Sequence, residues 1–230
     1  MKGTVIITGA GKGIGLALAR WFSKEQYRVI GISRSTDALL NLANTIPLKA
    51  DLNHLDNLFS SLLPLIQEEN SDRRYLIHNA GLLINAPFGE MTNDQIQEMT
   101  QVNYTAPLLL TQKLLPWLNH PAGSHIIYVG SMSGFQGSVR FPGLAVYSSG
   151  KSALASLAES LAYEYHATNM RFNALALGAV DTQMLQESLP GFVTNTTPEQ
   201  IADYIGTFAI QAYPLINGKV IPVAGMNPEI

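Results

Sequence analysis

Val5-Ile6-Ile7-Thr8-Gly9-Ala10-Gly11-Lys12-Gly13-Ile14-Gly15 decides how this chain is read. Val5-Ile6-Ile7 is a short β-branched run of the kind that forms a buried strand. Residues 14–27 then read as an amphipathic helix, with Leu18 and Phe22 four apart. Between the two, Gly9, Gly13 and Gly15 remove side chains where a backbone must approach a pyrophosphate. The helix that follows offers free N–H groups and the positive end of its dipole. Glycines alone make an ordinary turn; their place between a first strand and a helix is what points to a nucleotide. A Walker-type loop is excluded, because Lys12 is followed by Gly13 rather than Ser or Thr.

The alternation continues outward. Further strands are expected at 28–32, 46–48, 75–78, 125–129, 170–175 and 219–223. Between them lie a helix capped by Asn53, a helical stretch over 92–118 with Thr92 as N-cap, a long helix over 146–167, and one opening at Pro198. Pro107 and Pro116 predict a bend or early stop in the 92–118 stretch. Strands alternating with helices predict an α/β fold: one Rossmann-type, doubly wound parallel sheet with helices on both faces. Residues 181–197 hold Pro190, Gly191 and several Thr and read as a mobile loop beside the site.

Composition narrows the classes. The 230 residues suit one domain spanning 1–230, and 47% apolar residues supply its core. A net charge of −3 argues against a nucleic-acid partner. The absence of Cys removes disulfides and thiolate metal sites. The first apolar run breaks at Gly9, and no stretch of about 18 apolar residues occurs, so neither a signal peptide nor a membrane span is expected. The expectation is a soluble, cytoplasmic protein. His78, His120, His125 and His166 are scattered without metal-like spacing and read as ordinary core or surface residues; no metal site is expected.

Two further patterns carry chemistry. Tyr147 and Lys151 are four apart and share one face of the long helix. An ammonium near a phenol favours the phenolate, so Lys151 is expected to lower the Tyr147 pKa and fit it for proton exchange with a substrate oxygen. The second strand runs into Ser33-Arg34-Ser35 with no acid until Asp37. Many NAD sites place an acid there for the ribose hydroxyls. Arg34 and Lys12 instead suit a 2′-phosphate, so the expected cofactor is NADP(H).

Taken in order, these landmarks resemble the short-chain dehydrogenase/reductase family in its single-domain form. Thr8-Gly9 to Gly13-Ile14-Gly15 is similar to the family's TGxxxGxG loop, and Tyr147 to Lys151 is similar to its YxxxK. Asp51-Leu52 resembles the adenine contact, and Asn79-Ala80-Gly81 the NNAG segment with His78 in its variable first place. Gly178, Val180 and Thr182 resemble the segment at the nicotinamide, and Asn217-Gly218-Lys219-Val220 the entry to the last strand. The resemblance implies a tetrad of Asn103, Ser131, Tyr147 and Lys151. In it Tyr147 is the acid in carbonyl reduction, and Ser131 holds the carbonyl oxygen. Lys151 binds the nicotinamide ribose, and Asn103 anchors Lys151 through water. The implied cofactor contacts are Thr8, Gly9, Lys12, Gly13, Ile14, Gly15, Arg34, Asp51, Leu52, Asn79, Ala80, Gly81, Tyr147, Lys151, Gly178, Val180 and Thr182.

Two departures stand out. Leu177 replaces the family's Pro, which is expected to loosen the backbone near the nicotinamide. Ser131 and Tyr147 are 16 apart, which enlarges the loop at 135–144 and leaves Ser133 as a competing serine. Leu82, Leu83, Phe88, Met132, Phe135, Phe141, Leu144, Met184, Leu185 and Phe192 are expected to border the pocket, and Met226 is a further candidate. Such a lining suits a small-molecule carbonyl substrate: an apolar ketone, an aldehyde or a 3-oxoacyl group. Arg140, the one cation of the loop, reads as solvated. Trp21 and Trp117 read as packing residues. The Ala- and Leu-rich helix at 146–167 is apolar over more than one stripe, and the resemblance implies pairing through it, as a homodimer or homotetramer. The rival readings are a catalytically weak NADP(H)-binding regulatory or scaffold protein and an epimerase or dehydratase on the same fold.

Overall fold

The computed structural model describes residues 1–67 and 73–225; Met226 lies outside the described residues. Seven strands form one sheet: β1 (Thr4–Thr8), β2 (Arg28–Ser33), β3 (Thr45–Lys49), β4 (Arg74–His78), β5 (Ser124–Ser131), β6 (Met170–Leu177) and β7 (Val220–Val223). Their order is β3-β2-β1-β4-β5-β6-β7, and every neighbouring pair is parallel. This is the doubly wound Rossmann-type sheet read from the sequence. Strand order reverses between β1 and β4, which opens a crevice beyond their carboxyl ends.

Successive side chains of a strand point to opposite faces, and both faces of this sheet are covered. Val5 and Ile7 of β1 pack with α1 (Gly13–Lys24) and α7 (Pro198–Gln211) through Leu18, Phe22, Ile201 and Ile205. Ile6 packs on the other side, with α2 (Leu55–Gln67), α4 (Ala106–Leu118) and α5 (Ala145–Glu164) through Leu58, Leu110 and Leu154. Phe22, Leu18 and Leu58 are fully buried, each stabilising the fold by about 1.5–3 kcal/mol relative to exposure. Trp21 is a packing residue, as read: its indole N–H donates to Asp203 Oδ1 at 3.0 Å across the α1–α7 seam. Trp117 is also buried, with the Arg74 guanidinium over its ring.

The structure revises several local readings. The 92–118 stretch is three pieces: α3 (Asn93–Thr100), a π-helical turn over Gln101–Thr105, and α4. Thr92 caps α3 in a capping box with Gln95. Pro107 follows the π-helical turn directly, where the Ala106 N–H reaches back to the Gln101 carbonyl, and α4 continues through it. Pro116 sits inside α4 without stopping it. Asn53 does not cap α2, which starts at Leu55; its N–H and side-chain amide both donate to Asp51 Oδ1, at 3.0 and 3.1 Å. The stretch at 181–197 is not all loop: α6 (Gln183–Ser188) forms there, capped by Thr182, whose hydroxyl accepts from the Leu185 N–H.

Candidate active site

A cleft of about 1310 Å³ runs along the carboxyl edge of the sheet and brings the glycine loop, the β5 terminus, the start of α5 and α6 to one space. Its glycine end is built for close approach. Gly9 has φ +69°, and a Cβ on it would lie 2.8 Å from Ala80 Cα. A Cβ on Gly15 would lie 2.1 Å from the Gly9 carbonyl oxygen. Either contact forces the loop and the Asn79-Ala80 segment apart. The helix behind this loop has no side-chain cap at Lys12, so its first N–H groups are left for a ligand.

Thr8 and Gly15 are the two sequence-assigned cofactor residues set behind the cleft wall. Thr8 is buried, and its hydroxyl accepts from the Asn79 and Ala80 N–H groups, both at 3.1 Å. The Asn79 side chain donates to the Thr8 and Gly9 carbonyls at 3.0 and 3.3 Å. These residues knit β1 to the segment after β4 and set the shape of the cradle. The other assigned residues, Gly9, Lys12, Gly13, Ile14, Arg34, Asp51, Leu52, Asn79, Ala80, Gly81, Tyr147, Lys151, Gly178, Val180 and Thr182, line the cleft. A glycine-floored cradle, an uncapped helix start and a cation at each side fit a dinucleotide.

At the other end, Ser131 closes β5 and Tyr147 stands one helical turn before Lys151 on α5. Tyr147 and Ser131 both line this end of the cleft, and Ser131 favours the ionised form of the Tyr147 phenol. The Lys151 ammonium donates to the Val129 carbonyl at 2.9 Å and lies 5.7 Å from the centre of the Tyr147 ring. Burial pushes the Tyr147 phenol up to about 12, with Ser131 pulling the other way. The expectation that Lys151 lowers the Tyr147 pKa is therefore corrected. Desolvation of the phenolate is the larger cause, and Ser131 rather than Lys151 is what opposes it. Burial also pulls the Lys151 ammonium down to about 8.

Ser131 and Ser133 turn out to be partners rather than alternatives. Their hydroxyls lie 3.0 Å apart, and the Ser133 N–H donates to Ser131 Oγ at 3.2 Å. Arg140 is not merely solvated: its guanidinium donates to the Ser133 carbonyl and pins the enlarged loop to this turn. Asn103 sits buried in the π-helical turn. Its amide accepts from Leu82 N–H at 3.1 Å and donates to Leu82 O at 2.7 Å. The side chain thus shapes the Gly81-Leu82 backbone, with the Cβ position of Gly81 3.4 Å from Asn103 Oδ1 and 3.5 Å from Lys151 Nζ. Leu177 is the last residue of β6 and is still paired there with Ser131 and Val223.

Of the apolar residues assigned to the pocket, Leu82, Leu83, Met132, Phe141, Leu144, Met184, Leu185 and Phe192 line the cleft, whereas Phe88 and Phe135 lie outside its lining. Phe88 is 68% exposed beside α5. Sequence reasoning missed Gln183, which accepts from Lys12 Nζ at 3.0 Å, and Asn85, whose amide donates to the Ser188 carbonyl at 3.0 Å. The signal for α6 was the helix-forming run Gln183 to Ser188 after a capping Thr182. Among the described residues, no group of three His, Cys, Asp or Glu is placed to hold a metal ion. Nor is any helix among the described residues long and apolar enough to cross a membrane.

Comparison with known proteins agrees with this geometry. A 3-oxoacyl-[acyl-carrier-protein] reductase, MabA of Mycobacterium bovis (strain ATCC BAA-935 / AF2122/97), is 26% identical over 96% of this chain and 91% of its own length. A solved 4-hydroxyisoleucine dehydrogenase mutant complexed with NADH and succinate superposes with TM-score 0.86 at 21% identity, covering 97% of this chain and 98% of the other. ElxO with NADP bound superposes with TM-score 0.85 at 23% identity, covering 98% of each chain. The profile of the short chain dehydrogenase family matches residues 3–191, and with the sheet order, the glycine cradle and the Ser131–Tyr147–Lys151 cluster in place, the chain belongs to that family of oxidoreductases.

Proposed function

We propose that the chain is an NADPH-dependent carbonyl reductase whose substrate is an apolar ketone, an aldehyde or a 3-oxoacyl group. The observation that carries this is the single cleft holding Ser131, Tyr147 and Lys151 at one end and the glycine cradle at the other. Bound there, a nicotinamide dinucleotide supplies the hydride. Tyr147 holds its proton, because burial keeps the phenol neutral, and gives it from Oη to the substrate oxygen. Ser131, steadied by Ser133, donates to the same oxygen and stabilises its developing charge. Lys151 places a positive charge beneath them.

Arg34 and Lys12 on the cleft wall support the preference for a 2′-phosphate. The NADP bound by ElxO and the oxoacyl substrate in the name of the Mycobacterium bovis relative agree with this reading. The NADH of the 4-hydroxyisoleucine dehydrogenase structure marks what must be tested. The Ala- and Leu-rich composition of α5 supports a homodimer or homotetramer, although its Ala155, Leu157 and Leu161 also pack against the core of this chain. The Cys-free composition suits the cytoplasm.

A panel of ketones, aldehydes and 3-oxoacyl thioesters, run with NADPH and with NADH, tests the proposal by cofactor depletion. NADPH-dependent turnover of an apolar carbonyl is expected. No turnover of any carbonyl, with tight cofactor binding retained, would favour the binding-protein reading instead.

A further inference from the structure

Asn85 lies outside the cleft lining, yet both walls of the substrate end meet on it. One wall is the enlarged loop after β5, which contributes Phe141 and Leu144; the other is α6, which contributes Met184 and Leu185. Toward α6, the Asn85 side-chain amide donates to the Ser188 carbonyl at 3.0 Å, and the Ser188 hydroxyl donates to the Leu83 carbonyl at 3.2 Å. Toward the loop, the Ala86 N–H donates to the Gly143 carbonyl at 3.4 Å. Gly143 has φ +81°, and a Cβ on it would lie 1.9 Å from Asn85 Oδ1. The amide therefore has its oxygen against the loop, in space that only a glycine leaves open, and its nitrogen on the helix. A carbonyl only accepts, so the nitrogen must be the atom that faces Ser188.

A helix of six residues has little stability of its own. Its last carbonyls have no partner within it, and Ser188 carries one of them. The start of α6 is capped by Thr182 and tied to Lys12 through Gln183. Its end is held by Asn85 and by Leu83. Asn85 so fixes how far the end of α6 stands from the loop. Walls of Leu, Met and Phe offer no polar contact that measures an apolar group, so the distance between them does the measuring.

We propose that Asn85 is a specificity-determining residue: by joining the end of α6 to the Gly143 turn, it fixes the width of the substrate end and limits the size of the apolar group beside the substrate carbonyl. What fills the cleft rests on the carbonyl-reductase reading, so the test measures motion and binding rather than turnover. Asn85 is exposed, so Asn85→Ala should fold. The Gln186 and Leu189 amides donate to Thr182 and Leu185 and report on α6. In ligand-free Asn85→Ala their hydrogen exchange should speed up roughly fivefold or more, the scale of one lost hydrogen bond. Calorimetry with oxidised cofactor in place, where a ketone binds without being reduced, then compares butanone with a methyl ketone carrying an n-decyl chain. The affinity ratio of long ketone to short should rise several-fold in Asn85→Ala, and by less in Ser188→Ala, which keeps the Asn85 bond. A purely structural role would lower the urea midpoint and leave the ratio in place. Unmoved α6 exchange, an unmoved ratio, or binding of neither ketone to either form overturns the proposal. Failure of the wild type to reduce ketones that it binds counts against the reductase reading alone.

Discussion

The Lys12 ammonium donates to Gln183 Oε1 at 3.0 Å and so joins the glycine loop to the short helix α6, 171 residues further on. Gln183 in turn donates to Glu187 at 2.6 Å. The far end of α6 is held by Asn85 to the Ser188 carbonyl and by the Ser188 hydroxyl to Leu83 O at 3.2 Å. One cation at the cofactor end of the cleft is therefore shared with the segment that covers the substrate end.

The shared cation makes cofactor choice testable. Replacing both Arg34 and Lys12 by Ala should raise the NADPH dissociation constant by roughly a hundredfold or more, at ~1.5–3 kcal/mol for each hydrogen bond to a charged group, and barely change that for NADH. Gln183→Ala frees Lys12 and should tighten NADPH binding a few-fold. Equal weakening of both cofactors in the double variant, measured by calorimetry, would remove the 2′-phosphate assignment.

Acid should destabilise the protein through two buried histidines. His78 is held down to about 3 and His125 to about 4, in both cases chiefly by burial. His125 accepts from the Asn173 amide at Nε2 and donates to the Ala209 carbonyl at Nδ1, so it too is neutral when folded. Both folded values lie below the ordinary 6.5, so between pH 6.5 and 4 the unfolded chain binds protons that the folded one does not. Stability is complete above 6.5 and falls as pH drops, by about 1.4 kcal/mol per pH unit for each histidine. Urea midpoints at pH 7 and 5 check this; a histidine-free slope, unchanged in His125→Gln, would contradict it.

In light scattering, the folded chain should show a mass at least twice 25.0 kDa. A 25.0 kDa species at micromolar concentration would end the proposal that the outer face of α5 pairs with a second copy.

The parts of the site written as local pattern were legible in the sequence. The strand–glycine–helix start, the Tyr147–Lys151 spacing and the position of Ser131 at the end of β5 all depend on neighbours in the chain. What was not legible depends on burial or on partners distant in sequence. The direction of the Tyr147 shift is decided by how much water the fold removes, which spacing does not report. Ser133 looked like a rival to Ser131 because their hydroxyl contact forms only in the tight turn at Met132–Gly134. Asn103 was found as a member of the tetrad, but its hold on Leu82 depends on a π-helical turn that Pro107 alone did not foretell.

The central claim is that Tyr147 donates the proton in carbonyl reduction, and Tyr147→Phe tests it most directly. The substitution removes the hydroxyl and keeps the ring against Lys151. Single-turnover reduction of the best carbonyl substrate, with NADPH bound, should slow by roughly 10²-fold or more, the scale of a lost general acid, while the NADPH dissociation constant stays within a few-fold of the wild type. Reduction at the wild-type rate in that variant would contradict the account.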